Sequence, residues 1–242
     1  MNYKIADTVF SLTTVHGYSR SRLADYVSDG TPELGIASTA DDVRAERARL
    51  GQDGSDGFIE FLFVQRKLSD YLVGKDTLLF HGSALAYDGN CYIFAAPSGT
   101  GKSTHSRLWR ELLGERVVMV NDDKPFIRVG DVCTVFGSPW DGKEHLSSNT
   151  SFPLRAICFL ERSDVNHIEP LDAKSAIPRL LAQAYRQEAA DRILRLVTKI
   201  ADTVMLYRLC CNMSPDAARL SLEAMSGASA EGKTNRRVRY DL

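Results

Sequence analysis

The stretch from Cys91 to Thr104 constrains the fold of this chain more than any other part of its sequence. It starts with an apolar run, continues through Pro-Ser-Gly-Thr-Gly, and ends in Lys-Ser-Thr, after which apolar residues recur at helical spacing. A buried strand, a glycine-rich turn and a helix in this order are typical of a phosphate-binding loop (P-loop). There, backbone N–H groups and the positive end of the helix dipole face an anion. We therefore predict an α/β fold with a mixed central sheet, a P-loop and flanking helices.

Each residue of this loop has an expected part in binding a nucleoside triphosphate. Gly99 and Gly101 would let the backbone curl so that successive N–H groups point inward, and Lys102 would neutralise the outer phosphates. Ser103 would be the hydroxyl ligand of Mg²⁺. We thus expect ATP and Mg²⁺ as cofactors. The predicted nucleotide contacts are Ser98, Gly99, Thr100, Gly101, Lys102, Ser103 and Thr104.

Ala96 stands where the strict P-loop pattern has glycine. An alanine costs little at this position if its φ angle is negative. The alternative is a glycine-rich surface turn without a ligand, which the strand before the loop and the helix after it make the poorer interpretation.

A turn-forming Asp-Gly pair at 88–89 separates two strand-like runs, residues 78–87 and 90–96, which predicts a β-hairpin. The register of a two-residue turn places His81 opposite Ala96, at the mouth of the loop. A histidine satisfied within the sheet is the alternative; the register favours a position beside the phosphates.

Two carboxylates follow the apolar run that starts at Arg116. We predict that this run is a strand parallel to the one before the loop, reached by a right-handed crossover. Because parallel strands end at the same edge of a sheet, Asp122 and Asp123 should emerge near Ser103. One carboxylate could then hold Mg²⁺ while the other acts on an acceptor. A solvated turn is the weaker alternative.

A second hairpin over residues 125–137 should return the chain to the same edge. Lys143 and His145 could then face the site and contact a substrate. An exposed connecting loop is an equally good interpretation of this segment.

The predicted domain organisation has three parts: a small N-terminal α+β unit at 1–54, a P-loop domain at 55–225 and a disordered tail at 226–242. Within the first part we expect a strand over Ile5–Val15 and a helix at 41–50. An apolar helix at 58–72 should be buried between the small unit and the main sheet.

Composition excludes several classes of protein. A net charge of −1 over 242 residues argues against nucleic acid as a partner. The sequence has neither a membrane-spanning apolar stretch nor a signal peptide, so we expect a cytoplasmic protein. Its five cysteines are odd in number and lack metal-ligand spacing, which favours packing over disulfides.

Taken together, these motifs resemble the catalytic domain of HPr kinase/phosphorylase. The resemblance rests on His81-Gly82, the hairpin that enters the loop, Ser-Gly-Thr-Gly-Lys-Ser at 98–103, and the strand that ends in Asp122-Asp123. It covers about residues 75–162. That family shares its nucleotide-binding core with ATP-dependent phosphoenolpyruvate carboxykinase, and its shorter relatives include kinases that phosphorylate a serine of lasso-peptide precursors.

The resemblance implies roles for individual residues. His81 would pair with or tune the catalytic carboxylate, and Lys102 and Ser103 would bind phosphates and Mg²⁺. Asp122 would be the base and Asp123 the metal ligand, or the reverse. The glycine-rich signature of the bifunctional enzymes is not recognisable here, and Arg186 and Arg208 are only candidates for that family's late catalytic arginine.

The sequence therefore predicts an ATP-dependent kinase that phosphorylates a serine hydroxyl of a peptide or protein and could form homo-oligomers. A small-molecule kinase is the first alternative, and a module that senses ATP without transferring phosphate is the second. Binding phosphate alone would need none of Asp122, Asp123 and His81, so their joint presence argues against the sensing module.

Overall fold

Two β-sheets and seven α-helices make up the part of the chain that the computed structural model describes, residues 1–51, 53–185 and 189–227. The predicted α/β fold with a mixed sheet is confirmed. Arg186 and residues 228–242 of the predicted tail lie outside the described residues. No helix in the described ranges combines the length and the apolar character needed to cross a bilayer.

The elements are numbered in chain order. The strands are β1 (Asn2–Ile5), β2 (Thr8–Thr13), β3 (Leu34–Ala37), β4 (Thr77–Leu79), β5 (Ser83–Tyr87), β6 (Asn90–Ala95), β7 (Val117–Asn121), β8 (Phe126–Arg128), β9 (Thr134–Phe136), β10 (Ser151–Arg162), β11 (His167–Pro170) and β12 (Met205–Cys211). The helices are α1 (Tyr18–Arg22), α2 (Ala40–Leu50), α3 (Asp56–Val73), α4 (Lys102–Leu113), α5 (Ala173–Gln183), α6 (Ala190–Thr203) and α7 (Pro215–Ser226).

The smaller sheet has the order β1-β2-β3 and corrects one prediction. The expected single strand Ile5–Val15 is wrong, because the chain reverses at Ala6 and Asp7 and forms the β1–β2 hairpin. Both turn residues have positive φ angles, 48° and 57°. Two positive φ angles suit the tight hairpin turn, but Ala-Asp lacks the glycine that usually announces it.

The small sheet does not have a core of its own. Tyr3 and Phe10 belong to one buried cluster with Phe61 of α3, Phe126 of β8 and Trp140. The helix predicted at 58–72 is thus buried between the small unit and the main sheet, as expected. This cluster also crosses the predicted boundary at residue 54, which stays a prediction.

The larger sheet runs β4-β8-β9-β10-β6-β5-β7, and β12 pairs with β10 on one side and β11 on the other. Strands β6, β10 and β12 are parallel, so their carboxyl ends share one edge. Helices α4 and α7 cover one face of the sheet, and α5 and α6 cover the other.

The predicted strand 78–87 is two strands with different partners. β4 pairs with β8, whereas β5 pairs with β6 and β7. Between them, the backbone N–H groups donate to two separate segments: Phe80 and Gly82 to the carbonyls of Pro125 and Asp123, and His81 to the carbonyl of Gln183. The strand is interrupted here because these backbone N–H groups donate to residues outside the strands rather than to one neighbouring strand.

The hairpin register is as predicted, with Tyr87 opposite Asn90. The ladder stops at the pair of Ser83 and Phe94, so the expected pairing of His81 with Ala96 does not form. β7 has the predicted direction parallel to β6. However, β5 lies between them, because this first arm of the hairpin pairs with β6 on one side and with β7 on the other.

His105 makes the stability of this fold depend on pH. The side chain is buried between the Phe94 ring and α7, where its Nε2 lies 2.9 Å from Ser221 Oγ, and burial lowers the pKa of His105 to about 4. The unfolded chain, with an ordinary histidine pKa, binds the proton more readily below about pH 6.5. The neutral imidazole therefore stabilises the fold in full above that pH and progressively less as the pH falls towards 4.

We expect His105 to account for about 2 kcal/mol of lost unfolding free energy between pH 7 and pH 5. Urea denaturation at both pH values measures it. His105→Gln should flatten the slope, and His167→Ala, at an exposed histidine, should leave it unchanged. Equal slopes in all three proteins would contradict the assignment.

Candidate active site

The loop at residues 96–101 joins β6 to α4, and both of its glycines have positive φ angles. Gly99 and Gly101 have φ angles of 78° and 126°, which side chains disfavour. An added Cβ would meet no atom within 4 Å at either position, so the backbone angle rather than space favours glycine. Ala96 is not among the residues with positive φ, which explains how alanine is tolerated there.

The first turn of α4 faces this loop without a capping side chain. Its N-cap is Gly101, and the turn contains no acidic residue. The free N–H groups of a helix start and the positive end of the dipole together favour an anion. Ser103 is exposed in this turn and Thr104 is half-buried, while Ser98 is exposed in the loop itself.

Lys102 is buried with its ammonium group against the loop. Its Nζ donates to the carbonyl oxygens of Ala96 at 2.8 Å and Pro97 at 3.4 Å. Burial lowers the pKa of Lys102, the nearby charge of Lys124 acts in the same direction, and Asp123 opposes both. Among the described residues, Asp123 is the carboxylate whose negative charge favours the protonated form of Lys102.

Asp123 lies in a cluster with two cationic or potentially cationic side chains. His81 Nε2 is 3.3 Å from Asp123 Oδ1, and Lys124 Nζ is 3.3 Å from Oδ2. Burial opposes ionisation of this carboxyl, but the hydrogen bond from His81 and the charge of Lys124 outweigh it and hold the pKa of Asp123 below its usual value. The predicted contact between His81 and one of the two carboxylates is present, and Asp123 is the partner.

Asp122 has a different environment. It is buried, and its Oδ1 accepts a hydrogen bond of 2.6 Å from the backbone N–H of Gly142. Burial raises the pKa of Asp122, and repulsion from Asp141 and Asp123 adds to that effect against the Gly142 hydrogen bond. The two adjacent carboxyls therefore differ in proton affinity, with Asp122 the more basic.

Asn121 fixes the turn that separates these two carboxylates, and sequence reasoning missed it. Its buried Oδ1 accepts from the backbone N–H groups of Asp123 at 2.8 Å and Lys124 at 2.5 Å, and its Nδ2 donates to Ser138 O at 2.9 Å. An asparagine at the end of a strand, whose side chain accepts from backbone N–H groups two and three residues later, is a known turn device. The place of Asn121 at the end of the predicted strand was the sequence signal for this turn.

Arg162 is a second missed residue of the site. Its guanidinium donates to the carbonyl oxygen of Gly99, and its Nε lies 3.4 Å from Thr100 O. β10 carries it to the loop edge, because pairing with β12 continues as far as Arg162 and Cys211. The apolar run Leu154–Leu160 by itself indicates a shorter strand than the observed β10, which extends to Arg162.

The loop at 138–147, called the cover loop below, returns to the predicted edge, since Gly142 contacts Asp122. Of its two predicted substrate residues, Lys143 is exposed, and His145 Nδ1 is 3.0 Å from Asp141 Oδ1. Arg208, proposed as a catalytic arginine, pairs instead with Glu169 at 2.9 Å and Glu161 at 3.7 Å.

Gly142 offers a direct test of how Asp122 is positioned. A Cβ on Gly142 would lie 2.8 Å from Asp122 Oδ2, a shorter distance than Cβ atoms have to other atoms in folded proteins. Gly142→Ala must therefore displace the carboxylate. If Asp122 acts in a reaction, we expect turnover to fall by about 10- to 100-fold with little change in melting temperature. Steady-state kinetics and thermal melting measure the two effects. Gly130→Ala, where the nearest contact is 3.4 Å, is the control, and equal turnover in both variants would refute the role of Gly142.

Residues 62–214, more than half of the chain, match the family model described as SynChlorMet cassette protein ScmC. The chain belongs to this family. The matched range includes the glycine loop, both carboxylates and Arg162, whereas the small N-terminal sheet lies before it.

Comparison with other proteins adds little beyond the family. No curated protein sequence matches the chain. Among solved structures, it is similar to the Hpr(Ser) kinase/phosphatase from Coxiella burnetii, at 12% identity over 51% of this chain and 88% of that one, with a TM-score of 0.28. At this score the likeness carries no functional argument.

Proposed function

We propose that the protein is an ATP- and Mg²⁺-dependent kinase that transfers the γ-phosphoryl group to a serine hydroxyl of a peptide or protein. One observation carries the proposal: a glycine loop and an uncapped helix start lie at the same sheet edge as two carboxylates of unequal proton affinity. Anion binding and proton acceptance are the two functions that phosphoryl transfer to a hydroxyl requires.

The loop fits the triphosphate of a nucleotide. The positive φ angles of Gly99 and Gly101 and the free first turn of α4 supply backbone donors, and Lys102 supplies a charge. Arg162 supports the loop from outside by donating to the carbonyl oxygens of Gly99 and Thr100. We therefore assign nucleotide binding to residues 98–104 and loop support to Arg162.

Asp123 and Ser103 are the residues that would hold Mg²⁺. Asp123 stays ionised through His81 and Lys124, as a ligand of a hard cation must, and Ser103 is exposed in the helix turn. Among the described residues no group of three or more acidic, histidine or cysteine side chains could hold a metal alone. This fits Mg²⁺, which usually keeps waters and phosphate oxygens as ligands. When bound, the ion would neutralise charge on the phosphoryl oxygens.

Asp122 is the better candidate for the general base. The acceptor hydroxyl would give its proton to Asp122 as its oxygen bonds to the γ-phosphorus, and the bond from that phosphorus to the bridging oxygen of ADP would break. A base works best when its pKa lies nearer the working pH, and burial raises the pKa of Asp122. His81 contacts the other carboxylate, so in this proposal it orients Asp123 rather than the base.

The choice of a serine on a peptide or protein rests on the resemblance to HPr kinase-like enzymes and on the position of the cover loop beside Asp122. A small-molecule kinase would use the same residues. A nucleotide-sensing module would bind ATP and transfer nothing.

The test is to incubate the protein with Mg²⁺, ATP labelled at the γ-phosphate and the polypeptides encoded beside it. Label on a serine of one polypeptide, found by mass spectrometry and absent with Asp122→Asn, would support the proposal. Label confined to small molecules would favour the small-molecule kinase. Tight ATP binding without transfer to any candidate would favour the sensing module.

A further inference from the structure

The N-terminal unit reaches the candidate site through an ion pair between a partly exposed arginine and a buried carboxylate. Asp141 of the cover loop has only 4% of its side chain exposed, and its Oδ1 accepts a hydrogen bond from Arg22, the last residue of α1. The same Arg22 nitrogen donates to Pro139 O at 3.0 Å, and Ser147 Oγ donates to Asp141 Oδ2 at 2.9 Å. One arginine thus joins the small unit to two points of the cover loop.

Aromatic packing reinforces this attachment. The Arg22 guanidinium lies 5.9 Å from the centre of the Phe61 ring, and Trp140 stacks on that ring at 5.2 Å. Trp140 Nε1 also donates to Phe61 O at 3.0 Å. The cover loop is therefore packed on α3 at the place where Arg22 holds Asp141.

The attachment leads directly to Asp122. The Gly142 N–H that bonds to Asp122 Oδ1 belongs to the peptide unit that joins Asp141 to Gly142. A side chain that fixes Asp141 therefore also fixes the position and direction of this N–H group. Among the described residues, the Asp122 carboxylate accepts hydrogen bonds from the Gly142 N–H and from its own backbone N–H.

We propose that Arg22 is a positioning residue for Asp122, acting through Asp141 and Gly142. The N-terminal unit is then a working part of the active site rather than an appendage. This inference rests on the proposed function for its effect on turnover, but the link from Arg22 to the cover loop can be tested without any activity.

A purely structural role for the ion pair predicts a different result. Removing one partner of a buried pair destabilises a protein as a whole. A positioning role predicts in addition a loss of turnover at unchanged ATP affinity, and partial recovery with Arg22→Lys, which keeps the charge but not the planar fork of donors.

The experiment compares the full-length wild type with Arg22→Ala, Arg22→Lys and Arg20→Ala, the last at an exposed position of the same helix. Hydrogen exchange followed by mass spectrometry reports on residues 137–148. Kinetics report on turnover, and calorimetry reports on ATP affinity. For Arg22→Ala we expect faster exchange confined to this segment and about 10- to 100-fold lower turnover with ATP affinity within about twofold of wild type. Arg22→Lys should recover part of both losses, and Arg20→Ala should match the wild type.

Unchanged exchange at 137–148 in Arg22→Ala would overturn the inference, as would a turnover loss accompanied by an equal loss of ATP affinity. If Arg22→Ala does not fold, Ser147→Ala takes its place, because it removes the hydrogen bond to the other oxygen of Asp141. We then expect the same changes in hydrogen exchange and turnover, with smaller magnitudes. A wild type that transfers no phosphate would refute the proposed function, while the exchange result would still decide whether Arg22 holds the cover loop.

Discussion

Asp122→Asn is expected to lower phosphoryl transfer by about 10²- to 10⁴-fold, the usual contribution of a positioned general base. Asparagine has nearly the same shape and can still accept the Gly142 hydrogen bond, so the turn should keep its geometry. It cannot take up the proton of the acceptor hydroxyl. ATP affinity and melting temperature should therefore stay close to wild type, and single-turnover kinetics with saturating ATP and Mg²⁺ measure the loss.

Asp123→Asn is the matched control, because it changes the neighbouring carboxylate in the same way. We expect it to raise the Mg²⁺ concentration needed for half-maximal activity by roughly tenfold or more, since a neutral amide is a weaker ligand for this cation. A Mg²⁺ titration distinguishes the two variants. If Asp122→Asn shifts the Mg²⁺ requirement and Asp123→Asn does not, the roles are exchanged and the base is the carboxylate that His81 contacts.

Lys102→Ala is expected to weaken ATP binding by about 10- to 100-fold, because charge-assisted hydrogen bonds contribute roughly 1.5–3 kcal/mol each. The ammonium group is already buried against the loop carbonyls of Ala96 and Pro97, so little side-chain entropy is lost when phosphate binds. Isothermal calorimetry with Mg²⁺ present gives the affinity.

Lys143→Ala serves as the control for this measurement, since it removes an exposed lysine of the cover loop. Its ATP affinity should equal that of the wild type. Equal affinity in Lys102→Ala and wild type would remove the basis for a nucleotide site at residues 98–104, and with it the proposed kinase activity.

Local patterns predicted the parts of the site that depend on neighbouring residues. The glycine loop follows from Gly99 and Gly101, whose φ angles few other residues adopt. The contact of His81 with one of the two carboxylates was predicted from a hairpin register and the direction of two strands. The contact is present with Asp123, although the pairing of His81 with Ala96 does not form, because strand direction alone brings these side chains to one edge of the sheet.

Three features escaped sequence reasoning because they depend on residues far apart in the chain. Arg162 reaches the glycine loop only because β10 pairs with β12 over its last residues. The position of β5 between β6 and β7 depends on whether β5 or β7 pairs with the edge of β6, which local sequence does not specify. Asn121 could have been noticed, but its bond to Ser138 joins two segments that only the folded sheet brings together.

Local sequence patterns were enough to predict the order of strand, loop and helix, the side chains that meet at this edge of the sheet, and the direction of the strands that carry them. These follow from backbone preferences and from alternating or helical burial. The difference in proton affinity between Asp122 and Asp123 arises from the folded structure, because burial, the His81 contact and the Gly142 N–H come from separate parts of the chain. The fold also brings Arg22 to Asp141, 119 residues later in the chain, and local sequence patterns do not show which distant charged side chains will pair.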